Sequence, residues 1–350
     1  MQAVVWEAPE ILRQVVLPKP QLCAPDDAVV RVEAASTCGT DLHIYRGAIP
    51  GYLPGTVLGH EFMGVVESVG PAVTRFKIGQ RVRGNDFAAC GQCTQCVAGR
   101  HTQCHQRMLF GFSGIQPKLD GTLAEYVRVP WADTVLDSLP EGIDIRSALL
   151  ASDVLPTALD ALDRCQPFVK RRLAIIGAGP VGLLIALLAA ARGWCPVLVE
   201  NNPYRATYAR TAGIETLDLP VGATLADAHP ELMCSANAVI DAVGGERGLA
   251  AALAVVSHGG CVVGVGSQAG SYAVDWGHIF QRELSLHFVI GNGLRMRSTL
   301  DAAMLECAPY LDCIFSDQIS LDNVPAYFSR LQKRETFKAV VYIGDGDTRA

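Results

Sequence analysis

The chain has 350 residues, half of them hydrophobic, with 29 Lys and Arg against 35 Asp and Glu and a formal net charge of -6. That length accommodates two domains with well-buried cores, and the scattered cations on an acidic balance exclude nucleic acid as a primary partner. The opening Met1-Gln2-Ala3-Val4-Val5-Trp6-Glu7 has neither the basic start nor the apolar core of a signal peptide, so a cytoplasmic address is the expectation. Twelve cysteines without such a signal point to thiolates on metal and reduced core thiols rather than to disulfides.

From Met1 to about Asp153, short apolar runs such as Ala28 to Ala34 and Gly64 to Gly70 are punctuated by Gly, Pro and Asp. This spacing predicts an antiparallel all-β domain. Between these runs lie Cys38-Gly39-Thr40-Asp41, His43 and Gly59-His60-Glu61, which gather a thiol, two imidazoles, a hydroxyl and carboxylates. A catalytic zinc takes three Cys, His or carboxylate ligands and keeps one position open. Cys38 and His60 would supply two of them, and Thr40 and His43 follow closely enough to act as a hydroxyl and a base near the metal. Further on, Cys90, Cys93 and Cys96 are followed by Cys104 in a polar stretch rich in Gly, Gln and Thr. Four thiolates at that spacing predict a closed tetrahedral structural zinc site with no position left for chemistry. The remaining cysteines show no ligand spacing.

After Ala151-Ser152-Asp153-Val154-Leu155-Pro156 the pattern becomes alternating strands and Ala/Leu-rich helices. Strands are predicted at Leu173 to Ile176, Pro196 to Glu200, Ala238 to Asp241, Cys261 to Val265 and Ser285 to Ile290, with helices over Val181 to Arg192 and Gly248 to Val256. This is the signature of a parallel, doubly wound sheet. Leu173 to Ala191 is uncharged and nearly as long as a membrane span, but its glycines and proline are ordered as strand, tight turn and helix, so no membrane association is expected. The turn Gly177-Ala178-Gly179-Pro180-Val181-Gly182 fits G-x-G-x-x-G between strand and helix, the setting in which glycines let a pyrophosphate approach a helix N-terminus. Glu200 ends the next strand, where a carboxylate binds ribose hydroxyls and repels a 2'-phosphate, so NAD is expected ahead of NADP. Arg205, five residues on, leaves room for NADP. The apolar strand Phe337 to Ile343 closes the chain.

The run Gly59-His60-Glu61-Phe62-Met63-Gly64, continuing through Gly70 and Val73, together with Cys38-Gly39-Thr40-Asp41, resembles the zinc-containing alcohol dehydrogenases of the medium-chain dehydrogenase/reductase family. The resemblance extends over essentially the whole chain. It implies a partly open GroES-like β-barrel catalytic domain (residues 1–153 and 292–350) and a Rossmann cofactor domain (residues 154–291), an α/β plus β fold. It also implies Asp153 as third ligand of the catalytic zinc, with Glu61 as alternative or transient ligand, and Val243, in Asp241-Ala242-Val243-Gly244-Gly245, beside the nicotinamide ribose. Two zinc ions per chain, NAD, a small-molecule alcohol or carbonyl substrate, and a homodimer or homotetramer follow. Zinc would polarise the alcohol oxygen, hydride would pass to nicotinamide, and the proton would leave through Thr40, the ribose and His43. Asn85, Asp86, Phe87, Phe110 and Asn292 are candidate substrate neighbours, suiting a secondary alcohol, polyol, sugar or aminocyclitol. The rivals are a zinc-free enone or quinone reductase of the same superfamily and a noncatalytic dinucleotide-binding zinc protein.

Overall fold

In the computed structural model, which describes residues 1–114, 116–165, 172–267 and 271–344, the strand Ala28–Ser36 is buried at seven of its nine positions. A strand flanked and covered in this way reads as a nearly continuous apolar run, and AVVRVEAAS does. It pairs antiparallel with Glu61–Val69, with Tyr126–Val129 and with Ala339–Tyr342. Two register shifts against Glu61–Val69 bend this ladder, between Val29 and Val30 and between Val32 and Ala34. The sheet runs, in order, Asp137–Ser138, Arg81–Arg83, Glu61–Val69, Ala28–Ser36, Ala339–Tyr342 and Asp317–Ser320. A second sheet joins Ile11–Val16, Gln2–Ala8 and Thr56–Val57. Their side chains share one apolar core that includes Val30, Val32, Phe62, Phe110, Leu123, Phe328 and Val341. These strands belong to a unit made of Met1–Pro156, Asn292–Leu311 and Phe315–Ala350. The end of the expected catalytic domain, residues 345–350, lies outside the described residues.

The other unit comprises Thr157–Gly291 with Asp312–Ile314. Among the described residues its sheet has six strands in the order Glu215–Asp218, Cys195–Glu200, Arg172–Ile176, Ala236–Asp241, Val256–Gly264 and Ser285–Phe288, and every neighbouring pair is parallel. In sequence order this is 3-2-1-4-5-6, the doubly wound arrangement whose first strand-to-helix turn receives a dinucleotide. The helix Pro180–Ala191 follows that strand and is buried from Gly182 to Ala189, because its residues are apolar on every face. The apolar stretch that resembled a membrane span is this strand, turn and helix, and no helix among the described residues is long and apolar enough to cross a membrane.

Two edges differ from expectation. Glu215–Asp218 is an edge strand that the sequence reading did not propose, since ETLD carries no apolar run and buries only Thr216. The opposite edge ends at Phe288 rather than Ile290, although the Val289 N–H still reaches Gly264 O at 2.9 Å. Phe288 and Ile290 are both more than half exposed there.

Candidate active site

Strand register assembles the site in the first unit. Ser36 lies opposite Glu61 and Val340 lies opposite Ser36, so three strand ends deliver Cys38, His60-Glu61 and Lys338 to one place. Gly59, just before His60, has φ +92, and a Cβ on it would stand 2.7 Å from Thr122 Oγ1 and 2.8 Å from Leu123 Cγ. Only glycine serves there. Asp153 arrives from another direction. It follows the buried helix Ile145–Ser152, and Ser152 Oγ donates to Phe62 O at 3.3 Å, which fixes the helix end beside the His60 segment.

The donors converge. One atom from each of Cys38, His60, Glu61 and Asp153 lies within 4.8 Å of all the others. Cys38 Sγ is 2.9 Å from His60 Nε2, and His60 Nε2 is 3.5 Å from Asp153 Oδ2. Cys38 caps the helix Gly39–Tyr45, accepting the Thr40 N–H at 3.2 Å, while Asp41 Oδ2 accepts the Cys38 N–H at 3.0 Å. Asp41 Oδ1 lies 3.3 Å from His60 Nδ1, and both atoms are buried without a hydrogen bond of good geometry. A carboxylate behind one imidazole nitrogen directs the other at a metal. Glu61 is held differently: Lys338 Nζ donates to both its oxygens at 2.7 and 2.6 Å and to Thr37 O at 3.0 Å, and neither side chain has any exposed surface.

Electrostatics fits a cation in this cluster. Burial pushes the Cys38 thiol up to about 11, against the pull of His60. A thiolate in this place therefore needs a positive partner, and this set of soft and hard donors suits zinc. Burial lowers the His60 pKa, but the Asp41 and Cys38 charges together with hydrogen-bonding contacts to Asp153 and Asp41 outweigh it and leave the imidazole well above its ordinary value. Asp153 is raised by burial, but its hydrogen bond to His60, the charges of His60 and Lys338 and its hydrogen bond to Cys38 together bring it below its ordinary value, so it stays ionised. Burial lifts Glu61 to about 7 in spite of Lys338. Asp86 rises well above its ordinary range, through burial and then the Asp153 charge.

Thr40 and His43 lie on the short helix Gly39–Tyr45 that Cys38 caps. His43 is on its exposed side, with a pKa lowered by partial burial and then by Arg46.

Cys90, Cys93, Cys96 and Cys104 form the second cluster. Cys104 Sγ lies 3.6 Å from Cys90 Sγ and 3.9 Å from Cys93 Sγ. A tetrahedron with Zn–S bonds of about 2.3 Å has edges of about 3.8 Å, so these sulfurs already stand at metal-site separations. Cys93 is pulled down to about 6 by backbone N–H groups, that of His105 first. Burial raises Cys96.

In the second unit, Gly177 has φ +99, and a Cβ on Gly182 would fall 2.0 Å from Gly177 O. The glycine turn therefore packs strand and helix too closely for any side chain. Gly179 and Pro180 open the helix without a side-chain cap, and Val181 follows in its first turn. Glu200 is 6% exposed and accepts N–H groups from Ala178 at 2.7 Å, Asn201 at 2.9 Å and Asn202 at 2.8 Å. Arg205 Nη1 is 3.6 Å from the place a Gly179 Cβ would take, which sets a guanidinium beside the turn. Val243 is 55% exposed, and its Cγ2 reaches the other flank of Gly177. Its N–H and that of Gly244 are held by Asp241 Oδ1 at 3.0 and 2.8 Å. The sequence reading gave no role to Lys338 or to the Asp41–His60 contact. The available signal for the first was a lone lysine at the head of the apolar run Phe337 to Ile343.

Comparison with known proteins gives the same picture. Residues 24–141 match the alcohol dehydrogenase GroES-like domain and residues 180–307 the zinc-binding dehydrogenase domain. A zinc-binding alcohol dehydrogenase of Mycobacterium tuberculosis is 36% identical over 268 residues, 76% of this chain and 68% of that one. A zinc-type alcohol dehydrogenase-like protein of Schizosaccharomyces pombe is 34% identical over 227 residues, 60% of this chain, and the match spans only 54% of that relative. The solved alcohol dehydrogenase of Thermus sp. ATN1 superposes with a TM-score of 0.87 at 31% identity, over 98% of this chain and 100% of that one. The chain belongs to the zinc-binding medium-chain alcohol dehydrogenase family, whose members are zinc-containing, NAD(P)-dependent dehydrogenases acting on CH–OH groups.

Proposed function

We propose that the chain oxidises an alcohol of the secondary or polyhydroxy type, or reduces the matching carbonyl, with NAD as hydride partner and two zinc ions per chain. The observation that carries this reading is the convergence of Cys38 Sγ, His60 Nε2 and an Asp153 oxygen, three donors of a catalytic zinc, within 4.8 Å. Glu61 lies in the same cluster, but both its oxygens are taken by Lys338, which favours Asp153 as the third ligand. Zinc bound there supplies a Lewis acid for the alcohol oxygen, and NAD accepts the hydride.

The remaining work falls to this chain's residues. Asp41 holds His60 in the orientation that points Nε2 into the cluster. Thr40 and His43, on the helix that Cys38 caps, carry the released proton outward, and the lowered pKa of His43 keeps it neutral and able to accept. Gly177, Gly179, Pro180, Val181 and Gly182 receive the pyrophosphate, and Glu200 with Arg205 faces the adenosine ribose. Val243 packs near the nicotinamide ribose. Cys90, Cys93, Cys96 and Cys104 hold the structural zinc. The exposed Phe288 and Ile290 at the end strand of the cofactor sheet are an edge that a second copy covers, giving a dimer or tetramer.

The test is metal analysis combined with a spectrophotometric assay. Two zinc ions per chain, NAD reduction by secondary alcohols and loss of turnover on removal of one zinc are expected. A single zinc with enone or quinone reduction would replace this reading by the zinc-free reductase. Light scattering at micromolar concentration tests the association, and a monomer would refute it.

A further inference from the structure

The helix that delivers Asp153 ends against a buried guanidinium that the mechanism does not use. Arg83 closes the strand Arg81–Arg83, between Met63 on one neighbouring strand and Asp137 on the other, and its side chain is 1% exposed. Burial pushes its pKa below the ordinary value in spite of the Asp137 charge. Apolar replacements of buried ion pairs are often neutral or stabilising, so stability alone does not account for a cation here. Its bonds point to a geometric task. Arg83 Nη2 donates to Asp137 Oδ2 at 2.7 Å, and Nη1 donates to Ala151 O at 3.2 Å. Arg297 grips the other carboxylate oxygen of Asp137 and donates to Leu136 O at 3.2 Å, which keeps that carboxylate in place.

Ala151 lies in the last turn of the helix Ile145–Ser152, where carbonyls run out of intrahelical partners. There Leu150 O accepts the Asp153 N–H at 3.3 Å, Ser152 O accepts the Asp86 N–H at 3.1 Å, and Ala151 O accepts Arg83. Pro156 has no N–H with which to continue the ladder to Ser152 O. The helix stops, and Asp153 leaves it at φ -148 and ψ -63 with a carboxylate oxygen in the donor cluster. A cation at this end also suits the helix dipole.

We propose that Arg83 is a positioning residue for the catalytic metal site: held by Asp137, it fixes the carbonyl of Ala151 and through it the entry of Asp153 into the donor cluster. The inference rests on Asp153 as the third ligand, proposed above. Asp153 follows two residues after Ala151, so slack at that carbonyl reaches the ligand directly. Partners that orient a ligand without touching the metal typically change metal affinity by about 10- to 100-fold when removed.

The experiment places cobalt(II) in the catalytic site of the full chain, with the structural zinc left in place. It reads the cobalt dissociation constant, by competition with a chelator, and the visible absorption, which reports coordination geometry. Arg83→Met fills much of the same space, and Asp137 keeps Arg297, so no buried carboxylate is left alone. This variant is expected to bind cobalt about 10- to 100-fold more weakly, with altered absorption and the structural zinc retained. In an Asp153→Ala background, itself weaker in cobalt binding, the same substitution should add no more than about 2-fold, because the group it positions is gone. Where Arg83→Met does not fold, Arg83→Met with Asp137→Asn removes both charges and gives the same comparison. Unchanged cobalt affinity and absorption in the Arg83 variant, or an equal loss in both backgrounds, overturns the inference and leaves Asp153 as the ligand. An Asp153→Ala protein that binds cobalt as tightly as the wild type, with the same absorption, overturns the third-ligand reading and the inference with it.

Discussion

Lys338→Met removes the ammonium bonded to both oxygens of a carboxylate with no exposed surface, and the cost can be bounded from the geometry. Lys338 Nζ makes three bonds at 2.6 to 3.0 Å, two to Glu61 and one to Thr37 O. Breaking a buried pair from one side typically costs about 3–5 kcal/mol. Glu61 can limit that cost by taking a proton. Starting from its ordinary value of 4.5, this demands about 5 kcal/mol at pH 8 and between about 1 and 2 kcal/mol at pH 5.5, at about 1.36 kcal/mol per unit. The sign follows from linkage. A carboxyl raised in the folded state binds more protons there than when unfolded, so stability falls as pH rises from 4.5 to the folded value. That window closes near 7 in the wild type and extends upward without the lysine. Thermal melting should therefore show a loss of about 10 °C or more at pH 8 and a much smaller one at pH 5.5. The double variant Lys338→Met with Glu61→Leu should recover most of the loss. A deficit that does not change with pH, or a double variant no better than the single one at pH 8, refutes the reasoning.

Cys93→Ser should lower zinc content by about one per chain and depress the melting temperature, because a closed site missing one ligand loses much of its binding free energy; full zinc and an unchanged melt would remove the structural-zinc assignment. Glu200→Ala should narrow the preference of kcat/KM for NAD over NADP, and an unmodified protein that works better with NADP would contradict the ribose role of Glu200. Cys38→Ser and His60→Ala should abolish turnover and release the catalytic zinc. His43→Gln should keep both zinc ions and lose at most about 100-fold, a deficit that added imidazole buffer reduces; a loss as complete as that of Cys38→Ser and indifferent to buffer would end the relay role.

The residues that the structure gathers at the cluster were legible because their chemistry is unusual for their surroundings. Cys38 and His60 stand beside glycines, and Cys90, Cys93, Cys96 and Cys104 keep a short spacing in a polar stretch, whereas Asp153 was reached only through the family resemblance. The parallel strands of the second unit were legible for a similar reason, since runs buried on both faces are apolar throughout. Glu215–Asp218 was not, because an edge strand satisfies one side with water and can be polar. The role of Lys338 was hidden by distance, as its partner is 277 residues away and only the register of Ala339–Tyr342 with Ala28–Ser36 brings them together. Asp41 was in view as part of the Cys38 motif, but its contact with His60 depends on the turn of the helix Gly39–Tyr45 that Cys38 caps.

The late arrival of Lys338 has a consequence for synthesis. At about 5–20 residues per second, the 277 residues separating Glu61 from Lys338 take on the order of 15 to 55 seconds to translate. Throughout that interval Ala28–Ser36 lacks its Ala339–Tyr342 neighbour and Glu61 lacks its counter-ion. The stretch Thr157–Gly291, by contrast, carries all six strands of its sheet in one uninterrupted segment and can fold while the ribosome is still adding the remainder. A nascent chain stalled before Phe337 should therefore already protect the parallel sheet from protease, while the segment bearing Cys38 and His60 stays open to cleavage.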